Sequence, residues 1–136
     1  MAKVLGIDYG EKRVGVAISD SLQIIASSLT TIETKQFFLF LIELLQKEDI
    51  DRFVVGEPRN LDGTATDSTE MIEKFIEKLS IRYPNIPIKR IDERFTSKIA
   101  KQIILDAGTK KSKRRDKALV DKVSAAIILQ SHLDSK

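Results

Sequence analysis

Residues 4–19 read Val-Leu-Gly-Ile-Asp-Tyr-Gly-Glu-Lys-Arg-Val-Gly-Val-Ala-Ile-Ser, and this stretch decides the fold. Its pattern predicts a short buried strand over Val4–Asp8 and a second strand over Val14–Ser19. Tyr9–Lys12 between them has the composition of a turn, and Ser28–Glu33 is a third candidate strand. Three consecutive strands with short connections predict an antiparallel meander at the start of the chain.

The remainder of the chain alternates helical and strand patterns. The spacing of apolar residues predicts amphipathic helices over Lys35–Glu48, from a capping Asp67 through Leu79, from a capping Thr96 through Ala107, and over Lys117–Leu133. Short apolar runs predict strands at Asp51–Gly56 and Ile88–Ile91. On the last helix we expect an apolar face that carries Val120, Val123, Ala126, Ile127 and either Leu129 or Gln130.

The resulting order of elements is β-β-β-α-β-α-β-α-α. It predicts an α/β fold with a mixed five-stranded sheet, antiparallel in its first three strands and parallel in the last two, and helices on both faces. This is the strand and helix order of the ribonuclease H-like fold. Since no repeat, linker or low-complexity tract interrupts the pattern, we expect one domain over residues 1–136.

Composition narrows the chemistry open to the chain. It has no cysteine and a single histidine, His132, which excludes thiolate zinc sites, thiol nucleophiles and the Ser-His-Asp triad. We expect His132 to be exposed and assign it no role. The longest apolar run, Phe37–Ile42, is too short to cross a membrane, and the first residues do not resemble a signal peptide, so a cytoplasmic protein without membrane contact is expected. The formal charge of +3 is a weak indication of polyanion binding.

Three acidic residues occupy special positions. Asp8 ends the first strand inside an apolar run, Glu93 follows the last strand, and Asp121 lies among apolar residues on the final helix. Because a carboxylate in apolar surroundings is unfavourable without a partner, three such residues suggest a shared divalent cation. Oxygen ligands without His or Cys favour Mg²⁺ or Mn²⁺, and two such ions about 4 Å apart can activate water and stabilise a leaving oxygen. The alternative is structural: Asp8 caps a turn, and Asp121 pairs with Lys117 or Lys122.

Four motifs resemble those of the YqgF/RuvX family, in the family's order and across nearly the whole chain. The first two are Gly6–Ala17, which contains Asp8, and Val54–Gly63, which reads Val-Val-Gly-Glu-Pro-Arg-Asn-Leu-Asp-Gly. The last two are Asp92–Ser97, which reads Asp-Glu-Arg-Phe-Thr-Ser, and Asp121–Gln130, which reads Asp-Lys-Val-Ser-Ala-Ala-Ile-Ile-Leu-Gln. The second motif departs from the family pattern, since an apolar residue usually stands at the position of Glu57. That residue is either a further metal ligand or a solvent-facing substitution.

The resemblance implies a ribonuclease H-like nuclease related to the RuvC-type Holliday junction resolvases. It implies a metal-dependent endonuclease that matures the 5′ end of the 16S rRNA precursor, resolves four-way DNA junctions, or does both. The family's catalytic and metal-binding acids carry over onto Asp8, Glu93 and Asp121, with two Mg²⁺ or Mn²⁺ ions expected. Pre-rRNA within the small-subunit precursor, or branched DNA, would be the partner of a monomer or homodimer.

Basic residues near these acids are candidates for nucleic-acid binding. Arg13, Arg59 and Arg94 adjoin the motifs and would either contact phosphate or neutralise the carboxylates. A basic run before the helix of Asp121 contains Lys110, Lys111, Lys113, Arg114, Arg115 and Lys117. Such a run would bring a phosphate backbone to the acids, and the alternative is a solvated surface segment.

Two other functions fit parts of the pattern. A non-catalytic RNA- or ribosome-binding module would keep the three acids as structural residues. A sugar kinase or actin-like ATPase would use Gly6–Gly10 as a phosphate motif. Proteins of that kind need two such domains and a second phosphate loop, whereas 136 residues provide room for one domain.

Overall fold

The computed structural model describes residues 2–57, 69–92 and 117–135, with the backbone alone at 69, 92 and 117–123. The strands are β1 (Lys3–Tyr9), β2 (Arg13–Ser19), β3 (Ala26–Glu33), β4 (Ile50–Glu57) and β5 (Ile88–Asp92). The helices are α1 (Phe37–Lys47), which follows a 3₁₀ turn over Thr34–Gln36, α2 (Thr69–Arg82) and α3 (Lys117–Asp134). None of the helices in these ranges is long and apolar enough to cross a membrane.

The five strands form one sheet in the order β3-β2-β1-β4-β5. Strands β1, β2 and β3 pair antiparallel, whereas β4 pairs parallel to β1 and β5 pairs parallel to β4. This confirms the mixed sheet and the strand directions that the sequence predicts. The predicted helix from Thr96 to Ala107 and the capping residue Asp67 lie outside the described residues.

Alternate residues of the strands supply two separate cores. On one side, Leu5 and Ile7 of β1 pack with buried residues of α1 and α2, and we name this side the α1–α2 face. On the other side, Val4 of β1 packs with Ala17, Val54 and the buried residues of α3, and we name this side the α3 face. Because side chains alternate along a strand, each strand residue is assigned to one face by its position.

Helix α3 crosses β1 at Gly6, where only a glycine fits. A Cβ atom at this position would lie 2.7 Å from the Cβ of Leu129 and 3.1 Å from the carbonyl oxygen of Ala125. At its other end, α3 is bonded to β4 through Arg52, whose neighbour in the sheet is Val4. The helix therefore runs along β1 in the opposite direction, from the side of Asp8 towards Val4.

The buried face of α3 agrees with the predicted one only in part. Leu129 is buried and the half-buried Ala126 packs against the core, as the periodicity predicts, whereas Ile127 is half-buried. The close crossing at Gly6 fixes the rotation of the helix, and it turns towards the sheet a stripe made of Ala125, Ile128, Leu129 and Leu133. The side chains of Val120 and Val123 lie outside the described residues.

The prediction that His132 is exposed is wrong. Its side chain is 7% exposed, and its Nε2 lies 2.9 Å from an Nη of Arg52. Since a guanidinium can only donate, Nε2 accepts this hydrogen bond. The histidine thus joins the last turn of α3 to strand β4, and it has a structural role at the end of the sheet remote from Asp8.

Candidate active site

The parallel strands β1, β4 and β5 end at the same edge of the sheet. Ile7 lies beside Val55, and Glu57 lies beside Asp92, so the last residues of all three strands stand next to one another. In α/β sheets, ligands bind in the crevice outside the carboxyl ends of the strands. This edge is therefore the expected position of a ligand-binding or catalytic site.

Asp8 is the half-buried acid at this edge. Alternate residues of a strand share one face of the sheet, and Val4 lies on the α3 face. Gly6 and Asp8 therefore lie on this face too. Its neighbour on β2 is Gly15, and the register of β1 with β4 brings Gly56 to its other side. Neither neighbouring strand therefore places a Cβ atom beside the Asp8 carboxylate on this face.

The backbone of α3 approaches the same edge. Position 121 lies one helical turn before Ala125, about 6 Å along the axis. Asp8 lies two residues beyond Gly6, about 7 Å along β1 in the same direction. Ala125 and Gly6 are in contact. Measured along β1 from this contact, the backbone of Asp121 on the helix and that of Asp8 on the strand therefore lie at similar distances.

Glu57 lies on the opposite face of the sheet from Asp8. It ends β4 on alternate positions with Phe53 and Val55, which belong to the α1–α2 core. Its Oε1 lies 2.5 Å from an Nη of Arg90, and the side chain is 16% exposed. Glu57 is thus a partner of Arg90 and lies on the other face of the sheet from Asp8.

Arg90 is a residue that sequence reasoning missed. It lies on β5, and its guanidinium also bonds to Glu73 of α2. The hydrogen bond to Glu73 and the charges of Glu73 and Glu57 raise the pKa of Arg90. The residue ties the ends of β4 and β5 to α2, and the long-range pairing with an acid on a separate helix leaves no periodic signal in the sequence.

The turn that precedes Arg13 is held in a fixed shape. At Gly10, a Cβ atom would lie 2.5 Å from the carbonyl oxygen of Arg13, so this turn requires glycine. Thr34 donates its hydroxyl to the carbonyl of Gly10 at 2.7 Å, and its N–H to the carbonyl of Lys12 at 3.0 Å. These bonds place Arg13, which is half-buried, at the same edge of the sheet as Asp8.

Tyr9 packs against the hydrophobic core next to the candidate site. Its ring stacks on Phe75 of α2 with the centroids 4.1 Å apart, and burial raises the pKa of its hydroxyl. It therefore lies on the α1–α2 face, away from Asp8.

The structure brings Asp8 and Arg13 to one edge of the sheet, and the backbone of α3 at Asp121 approaches this edge. Lys117 lies one helical turn before Asp121, and the side chains of both residues lie outside the described part of the chain. The remaining candidates lie outside the described residues: Arg59, Glu93, Arg94, Lys110, Lys111, Lys113, Arg114 and Arg115.

A family model described as RuvX, Holliday junction resolvase, matches residues 2–135. The chain belongs to the RuvX family. Relatives extend over the whole chain: a protein of Flavobacterium psychrophilum is 48% identical over 136 residues and covers 100% of this chain and 99% of its own length. A protein of Porphyromonas gingivalis is 50% identical over 135 residues, covering 99% of this chain and 98% of its own length. Both carry the name "Putative pre-16S rRNA nuclease".

Solved structures show the fold of this RuvX-family chain. Thermus thermophilus RuvC in complex with a Holliday junction substrate has a TM-score of 0.59 at 16% identity, covering 99% of this chain and 95% of its own. A second structure of the same RuvC has a TM-score of 0.54 at 14% identity, covering 98% and 94%. The ribonuclease H-like fold that the sequence predicts is thereby confirmed. The family and its relatives also support a nuclease activity.

Proposed function

We propose that this RuvX-family chain is a metal-dependent endonuclease that hydrolyses phosphodiester bonds in structured nucleic acid. The observation that carries the proposal is the position of Asp8. Its half-buried carboxylate stands at the carboxyl edge of the parallel strands, between Gly15 and Gly56 on the neighbouring strands. The absence of side chains at those two positions gives a hydrated cation or a phosphate access to the carboxylate.

Glu93 and Asp121 complete the proposed set of catalytic acids. Position 121 lies at the level of Asp8 on the helix that crosses β1. Glu93 comes two residues after Ile91, which packs on the α3 face, so the sequence spacing favours the same face for Glu93. Glu57 is left out of the set because it lies on the other face and pairs with Arg90.

The chemistry of these donors fits Mg²⁺ or Mn²⁺. Three carboxylates supply hard oxygen ligands, the chain has no cysteine, and its single histidine is bonded to Arg52 near the far end of β1. We propose that Asp8, Glu93 and Asp121 hold two such ions. When bound, the ions supply Lewis-acid stabilisation of the charge on the phosphate oxygens.

The chain's own residues would then hold the substrate. Asp8 is fixed by its strand, so its carboxylate keeps its position when substrate arrives. Arg13 lies at the same edge on a rigid turn and would contact phosphate. The same role is proposed for Arg59, Arg94 and the basic run of Lys110, Lys111, Lys113, Arg114, Arg115 and Lys117.

For the substrate, we propose the 5′ end of the 16S rRNA precursor, processed in the cytoplasm on the small-subunit precursor. Support comes from relatives that match over their whole length and whose names specify this RNA. The four-way DNA junction is a second candidate, because the description of the family model specifies Holliday junctions.

A cleavage assay with both labelled substrates tests the proposal. Wild-type protein, Asp8→Asn and the control Asp49→Asn would be compared with Mg²⁺, with Mn²⁺ and with EDTA. Asp49 is an exposed acid at the far end of the sheet, where its carbonyl accepts the N–H of Lys3. We expect cleavage by wild type and Asp49→Asn, and a loss on the order of 100-fold or more in Asp8→Asn.

Two outcomes would contradict the proposal. Undiminished cleavage by Asp8→Asn would remove Asp8 from the catalytic machinery. Tight binding of RNA by the wild type without metal-dependent turnover would favour the non-catalytic RNA- or ribosome-binding module. If both substrates are cut, the ratio of kcat/KM values identifies the preferred one.

A further inference from the structure

The connection between β2 and β3 exposes three large apolar side chains within four residues. We name residues 20–25 the apolar loop. In it, Leu22 is 62% exposed, Ile24 58% and Ile25 61%. Single exposed apolar residues are common on protein surfaces, but clusters of them mark interaction sites more often.

The backbone of the apolar loop is fixed. One carboxylate oxygen of Asp20 accepts the N–H groups of Ile24 and Ile25 at 2.8 and 2.9 Å. Gln130 of α3 accepts the N–H of Ala26 at 2.8 Å and donates to the carbonyl of Ile24 at 2.9 Å. A loop held in this way loses little conformational freedom when it binds a partner, so its apolar groups are well prepared for docking.

Three carboxylates lie within the apolar loop or beside residues that bond to it. Asp20 lies inside the apolar loop, and its hydrogen bonds from backbone N–H groups lower its pKa, so it stays ionised at neutral pH. Asp51 accepts a hydrogen bond from the Gln23 side chain at 3.0 Å, and Asp134 accepts one from Gln130 at 2.9 Å. This gives an apolar centre with an acidic rim.

Two basic side chains at the same end of the sheet have partners within the protein. Lys3 pairs with Glu48 at 2.8 Å, and Arg52 donates to His132. The carboxylates of Asp20, Asp51 and Asp134 give the rim its negative charge, which is complementary to a cationic partner.

The apolar loop lies at the opposite end of β1 from Asp8. Val4 donates its N–H to the hydroxyl of Ser19 at 2.8 Å, directly before the loop, and Asp8 is four residues further along the strand, about 13 Å away. Nucleic acid would be repelled by the acidic rim. A protein on the apolar loop would leave the edge at Asp8 open.

We propose that the apolar loop docks a basic amphipathic segment of a partner protein. Leu22, Ile24 and Ile25 contact the apolar side chains of that segment, and the acidic rim contacts its lysines and arginines. A shallow depression on α3 beside the loop extends this surface; it is lined by Ile127, Gln130, Ser131, Asp134 and Ser135. The inference stands independently of the proposed nuclease function.

Two synthetic amphipathic helical peptides of equal length test the inference, one built from leucine and lysine, the other from leucine and glutamate. Their binding to the full chain would be measured by fluorescence anisotropy and mapped by amide chemical shifts. We expect the lysine peptide to bind, with shifts in residues 20–26 and in the last turns of α3. The double variant Leu22→Ser/Ile24→Ser should weaken it by at least about tenfold.

Ile81→Ser is the matched control, because Ile81 is 71% exposed but lies on α2. It should bind the lysine peptide like wild type, and thermal unfolding should show that all variants fold. Equal affinity for both peptides, unchanged affinity in the double variant, or shifts confined to the edge at Asp8 would overturn the inference. Self-association of the wild type in sedimentation that the double variant abolishes would also overturn it, since the occupant would then be a second copy.

Discussion

Asp8 of β1 lies directly opposite Gly15 of β2, so the strand that pairs with the candidate catalytic acid has no side chain beside it. The parallel neighbour β4 has Gly56 at the corresponding level. On this face neither neighbouring strand has a side chain beside the carboxylate, although β1 lies in the middle of the sheet. This arrangement links the pattern of glycines in the chain to access at the candidate site.

Filling the space beside Asp8 tests this link. In Gly15→Ala, a methyl group would stand next to the carboxylate on the same face of the sheet. We expect the Mn²⁺ concentration for half-maximal cleavage to rise by about tenfold, because the methyl group hinders a hydrated cation. An unchanged Mn²⁺ dependence in a correctly folded variant would show that Gly15 does not govern access.

Gly6 has a different role, which is the packing of α3. In Gly6→Ala, the new methyl group would meet Leu129 at 2.7 Å, so the helix would have to shift. We expect the free energy of unfolding in urea to fall by about 1–3 kcal/mol. Gly15→Ala serves as the control for the addition of a methyl group to a strand glycine. A loss below about 0.5 kcal/mol would mean that α3 adapts without cost.

Glu57 is expected to be dispensable for metal binding. Since it faces away from Asp8 and bonds to Arg90, Glu57→Gln should retain the wild-type Mn²⁺ dependence of cleavage. Its free energy of unfolding should fall by no more than about 1 kcal/mol, because the pair is only partly buried. A marked increase in the Mn²⁺ requirement of Glu57→Gln would instead favour its interpretation as a ligand.

Asp20 should make stability depend on pH in the acidic range. Its pKa in the folded protein is lower than its ordinary value, mainly because it accepts the N–H groups of Ile25 and Ile24. A carboxyl group shifted in this direction stabilises the fold above its unfolded pKa, and the contribution is lost as the pH falls through the folded pKa. Asp20→Asn should therefore be less stable than wild type at neutral pH.

Urea unfolding at a series of pH values measures this difference. It should be constant above about pH 5 and shrink as the pH falls below about pH 4. A difference that is the same at all pH values would show that Asp20 stabilises the loop without its charge.

The sequence predicts the parts of this structure that depend on local patterns. The short apolar runs in residues 4–19, with a turn between them, predict β1 and β2, and they place Asp8 near the end of its strand. The rotation of α3 could not be predicted, because five successive apolar residues, from Ala125 to Leu129, satisfy more than one helical face. It is set by the crossing at Gly6, which is a contact between distant parts of the chain.

The long-range polar contacts also could not be predicted from the sequence. His132 is buried and accepts a hydrogen bond from Arg52, which is 80 positions away in the chain. Glu57 faces Arg90 because β4 and β5 are parallel and in a particular register, and neither fact follows from the residues around Glu57. Sequence patterns indicate which acidic residues lie at the strand ends. The face of the sheet on which each side chain lies depends on the register of the strands.

The most direct test of the central claim is the Mn²⁺ dependence of single-turnover cleavage by wild type, Asp8→Asn and Asp49→Asn on the preferred substrate. If Asp8 holds a catalytic metal ion, Asp8→Asn should be slower by on the order of 100-fold or more, and added Mn²⁺ should restore it only in part. Asp49→Asn should match wild type. Equal rates and equal Mn²⁺ dependence in all three proteins would contradict the assignment of Asp8 as the central acid of a metal-dependent nuclease.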